Sequence, residues 1–263
     1  MSDWMYSLPF PLMAVIVAVT TFIITFIIYR VVLGLATGER LRTFKGVSPG
    51  LLPPLGIIFA LLVGFIAAQV WGDTERARVA VNREASALRG VVLLARAFPG
   101  EPETRLQTLI SGHIDRAVEE EWPAMAHQQV TLAMVPAELA EALEYVLGFR
   151  PEGSGQIAAQ REIVTALETA LDARRQRIIV SGSSLDWTRW WGLILSAVIT
   201  LVATALVHSD HRSTAALALG LFASAVGLAL LLIAAHTRPF AGPVAVGPDV
   251  LLQVLPEDTA GTR

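Results

Sequence analysis

Two short polar clusters are the places where this chain could do chemistry. His208-Ser209-Asp210-His211 puts two imidazoles and a carboxylate within four residues, donors of the kind that hold a divalent metal. They fall, however, in a connector of six residues, His208–Ser213, where polar side chains are expected anyway. Glu119-Glu120-Glu121 is an acidic run beside Trp122. Three consecutive acids on a helix point in different directions, so a solvated face is expected. A calcium ion needs six to eight oxygens, more than this run offers alone. His113 and His127 read as packed or surface histidines. The chain has no cysteine, hence no disulfide framework and no thiolate metal site. It also lacks a phosphate-binding glycine loop, a nucleophile elbow and a zinc-protease motif. An enzyme is not expected, and neither a metal nor a cofactor is assigned.

What must position these residues is a chain with an unusual distribution of charge. Of its 263 residues 54% are hydrophobic and 16% charged, where a soluble domain carries about 25%. Between Gly72 and Thr188 lie 17 of the 23 acids and 12 of the 20 basic residues, so both ends have been cleared of charge. The net charge of −3 gives no reason to expect a nucleic-acid partner. Lys45 is the only lysine, a bias that fits a GC-rich bacterial genome. Four windows, Leu12–Tyr29, Leu51–Trp71, Trp190–Val207 and Thr214–Ala235, hold no Asp, Glu, Lys, Arg or His. About 20 helical residues cross the roughly 30 Å hydrocarbon core, and in lipid the backbone must satisfy itself. The first window lacks a basic start and a small-residue cleavage site, so it does not read as a signal peptide.

The expected fold is an all-α membrane protein. Four transmembrane helices form two hairpins, with a helical soluble domain inserted between helices 2 and 3. Residues 1–71 make the first hairpin, with spans at about 12–35 and 51–71. Residues 72–188 make the soluble domain, and 189–236 the second hairpin, with spans at about 190–207 and 214–235. Residues 237–263 are read as an extended tail rich in Pro and Gly. Pro49, Pro53 and Pro54 suit the first turn of helix 2. Trp71, Trp190 and Trp191 mark span ends at the bilayer interface. Positions 77, 81, 85, 88, 92 and 95 share one helical face, and no breaker separates them from helix 2. Pro102 opens the next helix, Pro123 closes it, and Pro136 opens a third. A fourth carries Ile157, Val164, Leu167, Leu171 and Ile178 in coiled-coil-like steps. Small residues four apart, Gly192, Ser196, Thr200 and Thr204 in helix 3 and Gly220 and Ser224 in helix 4, suit close packing within one subunit. Ala223 and Gly227 lie beside the second set.

The spans themselves offer only hydroxyls and Gln69. A proton-coupled carrier usually keeps Asp, Glu or His at membrane depth, so that mechanism is disfavoured. A passive pore needs no buried charge, because an apolar constriction gates by dewetting.

Several stretches resemble the bestrophin-like family of bacterial and plant membrane proteins. They are Phe65 to Trp71, Arg83-Glu84-Ala85-Ser86-Ala87-Leu88, Glu121-Trp122-Pro123-Ala124-Met125, and Arg238-Pro239-Phe240 with Gly242 and Val246. Thr237 departs from the family's usual acid at that position, and Gly72-Asp73 from its usual polar and aromatic pair. The resemblance implies kinship with bestrophins, which are pentameric anion channels whose second helix lines the pore. Carried onto this chain, the pore-lining face of helix 2 is Pro54, Ile58, Leu62, Phe65 and Gln69. The same face could instead meet a neighbouring helix or lipid. The expected function is an oligomeric channel passing small inorganic anions passively, a homo-pentamer by resemblance alone. The alternative is a non-conducting membrane scaffold or sensor whose helical domain binds a partner.

Positive charge orients such a chain. Arg40, Arg42 and Lys45 draw the first loop toward the cytoplasm. Arg76, Arg78, Arg83, Arg89, Arg174, Arg175, Arg177 and Arg189 outvote them in favour of the middle domain. Both termini and the middle domain are expected in the cytoplasm, with the protein in the bacterial inner membrane.

Overall fold

The computed structural model describes residues 8–36, 49–132 and 136–254. Arg40, Arg42 and Lys45 lie outside the described residues. Among the described residues every regular element is helical. The longest elements are α1 (Phe10–Leu35), α2 (Leu52–Ala95), α3 (Glu101–Arg116), α5 (Ala137–Leu147), α6 (Ser154–Ser181), α7 (Trp187–Val207) and α8 (Arg212–His236). Two short helices, α4 (Trp122–Ala126) and α9 (Asp249–Leu252), a 3-10 turn at Pro49–Leu51 and a π-helical turn at Ala117–Glu121 complete the set. Four of these, α1, α2, α7 and α8, are long and apolar enough to cross a membrane. Pro9 stands just before α1, and Pro53 and Pro54 fall within the opening turn of α2, where a missing N–H is harmless. The chain divides into two compact units, one of Met1–Gly72 with Ser184–Thr237, the other of Asp73–Ser183 with Arg238–Arg263.

In the first unit α1 packs on α8 and on α7. Val32 of α1 clusters with Leu219 and Ala223 of α8, whereas Thr21 lies against Gly227, where an added Cβ would sit 3.7 Å from its hydroxyl. Rising numbers in α1 therefore meet falling numbers in α8, so the two are antiparallel. Phe59 of α2 meets Phe222 of α8 at 5.8 Å between ring centroids, and Trp71 meets His236 at 6.2 Å, so α2 runs parallel to α8. Hence the turn between α7 and α8 lies at the end of the unit where α1 finishes and α2 begins. The tryptophans 71, 187, 190 and 191 gather at the other end. Trp71, Trp187 and Trp191 are exposed, and Trp190 is buried.

The small residues divide their work. Thr200, Thr204 and Ala223 are buried, and Gly227 admits Thr21 of α1. Nothing approaches a Cβ placed on Gly192 or Gly220, and Ser224 is exposed, so these three do not mediate packing inside the subunit.

The second unit has an ordinary apolar core. Leu88 and Val91 of α2 meet Leu106, Ile110 and Ile114 of α3, Leu139 of α5, and Ile163 and Leu167 of α6. Each such side chain contributes about 1.5–3 kcal/mol when fully buried. The expected face 77–95 is the buried one, although Val92 is covered only in part. Ile157, which the coiled-coil-like steps place on the apolar face of α6, is 47% exposed. The inward line of that helix runs instead through Ala159, Ile163, Leu167, Ala170, Arg174 and Arg177.

Two expectations fail here. Pro123 does not end a helix. Residues Ala117–Glu121 form a π-helical turn, and the Trp122 N–H reaches back five residues to the Ala117 carbonyl. The wider turn shifts the backbone register, and Pro123, which has no N–H to donate, sits in the first turn of α4. Residues 238–254, the described part of the expected tail, are not extended either. The Val246 N–H bonds the Pro239 carbonyl at 2.8 Å, α9 follows, and Phe240, Leu251 and Val254 are buried in the core of this unit. Apolar side chains at those three positions outweigh the local preference of Pro and Gly for open chain.

Candidate functional site

The first candidate is a face of α2 in the first unit. Phe59, Ile66 and Val70 are buried inward. The opposite face carries the expected pore residues. Pro54 is exposed, Ile58 and Phe65 are 58% and 74% exposed, and Leu62 and Gln69 are half-buried at its flank. The two faces follow from the 3.6-residue period, since 54, 58, 61 and 65 share one side while 59, 66 and 70 share the other. Ile57 and Leu61 extend the uncovered strip. Gln69 is not free, because its side-chain oxygen accepts from Arg189 Nη1 of α7. Arg189 also faces Asp186 at 3.6 Å.

The second candidate is a buried charge cluster in the second unit. Glu84 projects from the inward face of α2, next to Ala85 and Leu88. It is 0% exposed, as is Arg177 of α6. Glu84 Oε2 accepts from Arg177 Nε at 2.8 Å, and Oε1 accepts from Nη2 at 3.1 Å. His113 Nε2 lies 3.0 Å from the same Oε1. Arg177 Nη2 also donates to Glu121 Oε2 at 2.9 Å. The other oxygen of Glu121 takes both Nε, at 2.8 Å, and Nη2 of Arg174. The Arg177 guanidinium stacks over Trp122, 4.5 Å from the ring centroid, and its Nη1 lies 3.7 Å from Met125 Sδ. Trp122 donates its indole N–H to the Val246 carbonyl at 3.0 Å and meets Phe240 edge-on at 5.8 Å.

Two carboxylates thus face two guanidiniums, and the oxygens are occupied by donors from α3 and α6. Burial alone would raise the Glu84 carboxyl, but the Arg177 charge and the His113 contact hold it below the usual carboxylate range. Burial would likewise lower Arg177, and the charges of Glu84 and Glu121 hold it above its ordinary value. A buried pair of this kind is stable only with such complete partnering.

The solvated-face reading of the acidic run therefore holds for Glu119 and Glu120, which are exposed, and fails for Glu121, which is 3% exposed. The π-turn is the cause, since its wider register carries Glu121 inward ahead of Trp122. Of the family-motif residues, the fold brings Glu84, Glu121, Trp122 and Phe240 together. Pro123 is exposed, Pro239 is buried and accepts from Val246, Arg238 is half-buried, and Trp71 belongs to the other unit. The sequence motifs do not name Arg174, Arg177 and His113 as partners. The two arginines are marked only by standing seven residues beyond Leu167 and Ala170, on the apolar line of α6. In the connector before α8, His208 Nδ1 lies 2.9 Å from the Thr204 carbonyl, and Asp210 and His211 are exposed. Among the described residues no three His, Asp or Glu side chains converge as metal ligands.

The family model for the Bestrophin-like domain matches residues 16–251. No curated protein and no solved structure matches the chain.

Proposed function

The chain belongs to the bestrophin-like family, and from that premise we propose that it is a homo-oligomeric membrane channel conducting small anions passively. The four long apolar helices are its spans, and the second unit and both termini lie in the cytoplasm. The observation that carries this reading is the uncovered face of α2, with Phe65 74% and Ile58 58% exposed in the single subunit. A four-helix unit leaves no wide lumen, so a pore needs one helix from each of several copies around an axis. Bulky apolar side chains at that axis make a constriction that gates by dewetting. Gln69, whose side-chain oxygen is engaged by Arg189, gives that face one polar group near its end. No catalytic chemistry is assigned.

The buried cluster, which ties the helices of the second unit together, suits a second reading, a non-conducting membrane scaffold or sensor whose helical unit binds a partner. Flux measurements on protein in vesicles separate the two. Chloride or nitrate flux that rises or falls with Leu62→Ala or Phe65→Ala supports the pore. Vesicles silent to chloride, nitrate, sodium and potassium, holding folded protein, refute it and leave the sensor.

A further inference from the structure

A groove in the first unit lies between α1, α7 and α8 and encloses about 220 Å³. Its walls run from Ile16 to Ile24 on α1, from Trp190 to Leu201 on α7, and from Val226 to Ala234 on α8. Thr20 and Thr21 supply the hydroxyls of the lining, which is otherwise aliphatic apart from Trp190. We propose that this groove holds one acyl chain of a bilayer phospholipid as a resident ligand.

Three features choose this occupant. The first is length. Trp190 to Leu201 spans eleven helical rises, about 16 Å. Half of the roughly 30 Å hydrocarbon core is about 15 Å, the depth of a single leaflet. The groove begins at the end of the unit where the tryptophans gather, which is the interface end of a span. A chain descending from the leaflet on that side fills it to mid-bilayer. The second is width. A helix of a second copy is about 10 Å across, far more than 220 Å³ over this length accommodates. The third is position. The α2 side of α8 is marked by Phe222, which meets Phe59, and the groove wall winds away from it through Leu230 to Ala234, about 120° further round the helix. Copies assembled around α2 leave the groove facing lipid. The proposal rests on the spanning reading of α1, α7 and α8, and not on conduction.

The test uses the full chain reconstituted in phosphatidylcholine vesicles that contain a phospholipid with a photoreactive acyl chain. Adducts are mapped by mass spectrometry. Leu217 and Leu228 of α8, which are 66% and 58% exposed and line no groove, report ordinary lipid contact. Labelling of Ile24, Ile194 and Val198, which border the groove, is expected to exceed theirs several-fold despite their lower exposure. Val198→Trp, which fills the groove from its rim, is expected to abolish the excess and leave Leu217 and Leu228 unchanged. Equal labelling at both sets of positions in the unmodified protein overturns the proposal, whether or not the variant folds. So does an excess that Ile194→Trp and Val198→Trp both leave intact in folded protein. Absence of adducts at Leu217 and Leu228 as well overturns the spanning reading itself.

Discussion

Arg177 Nε lies 2.8 Å from Glu84 Oε2, and both side chains are wholly buried although 93 residues separate them. Three neighbouring segments of the second unit answer to this pair. His113 reaches it from α3, Glu121 from the π-turn, and Trp122 stacks on it from α4. Removing one partner would strand a charge in the interior.

The first prediction follows directly. Glu84→Gln keeps the shape and removes the charge opposite Arg177. The expected cost is roughly 3–5 kcal/mol, the usual penalty for breaking a buried pair from one side. Thermal unfolding of the detergent-solubilised protein measures it, and a loss below about 1 kcal/mol would show that the pair is not structural.

The pH dependence has a definite sign. The folded Glu84 carboxyl sits below its unfolded value of about 4.3. Its contribution is therefore fully present above about pH 5 and is lost as pH falls through the folded value. Unfolding temperature is predicted to drop on acidification below that point, and to drop less in Glu84→Gln. Identical acid profiles for the two proteins would contradict the assignment.

Trp122→Phe deletes the indole N–H that bonds Val246 and keeps the stack on Arg177 and Phe240. Because that hydrogen bond is partly buried, the expected cost is about 1–2 kcal/mol. Faster amide exchange confined to residues 239–254 is the specific signature. Unchanged exchange there would mean that the buried side chains of Phe240, Leu251 and Val254 alone hold the segment.

Orientation is open to a direct test because the chain has no cysteine. Single cysteines at the exposed positions Arg150 and Asp210 are predicted to differ toward an impermeant thiol reagent on intact cells. Asp210→Cys labels and Arg150→Cys does not. The reverse pattern inverts the protein in the membrane, and labelling at both sites breaks the two-hairpin arrangement.

Assembly around α2 predicts a mass in detergent that is a multiple of 28.3 kDa. A monomer that retains its fold would remove the channel reading, since one subunit has no lumen. Phe65→Glu, placing a charge on the uncovered face, is predicted to weaken the assembly or alter flux without unfolding the subunit.

The sequence by itself determined the elements that depend on local composition. Four uncharged windows of 18 residues or more announce four long apolar helices, because a helix in lipid needs only length and hydrophobicity. Ala77, Val81, Ala85 and Leu88 announce an inward face, because the 3.6-residue period is a local property. The strings around Glu84, Trp122 and Phe240 pointed to the family. Only the tertiary structure decided that these strings meet, and that Arg174 and Arg177 complete them from α6. A charge on an apolar line reads as an error in the pattern until the opposite charge, some 50 to 90 positions earlier in the chain, is seen beside it. Proline at 123 and the Pro- and Gly-rich segment after 237 both carry strong local preferences for breaks. At Pro123 the π-turn just before it shifts the register, so the proline falls in a first turn where its missing N–H is harmless. After 237 the core of the second unit takes up Phe240 and Leu251 from elsewhere in the chain.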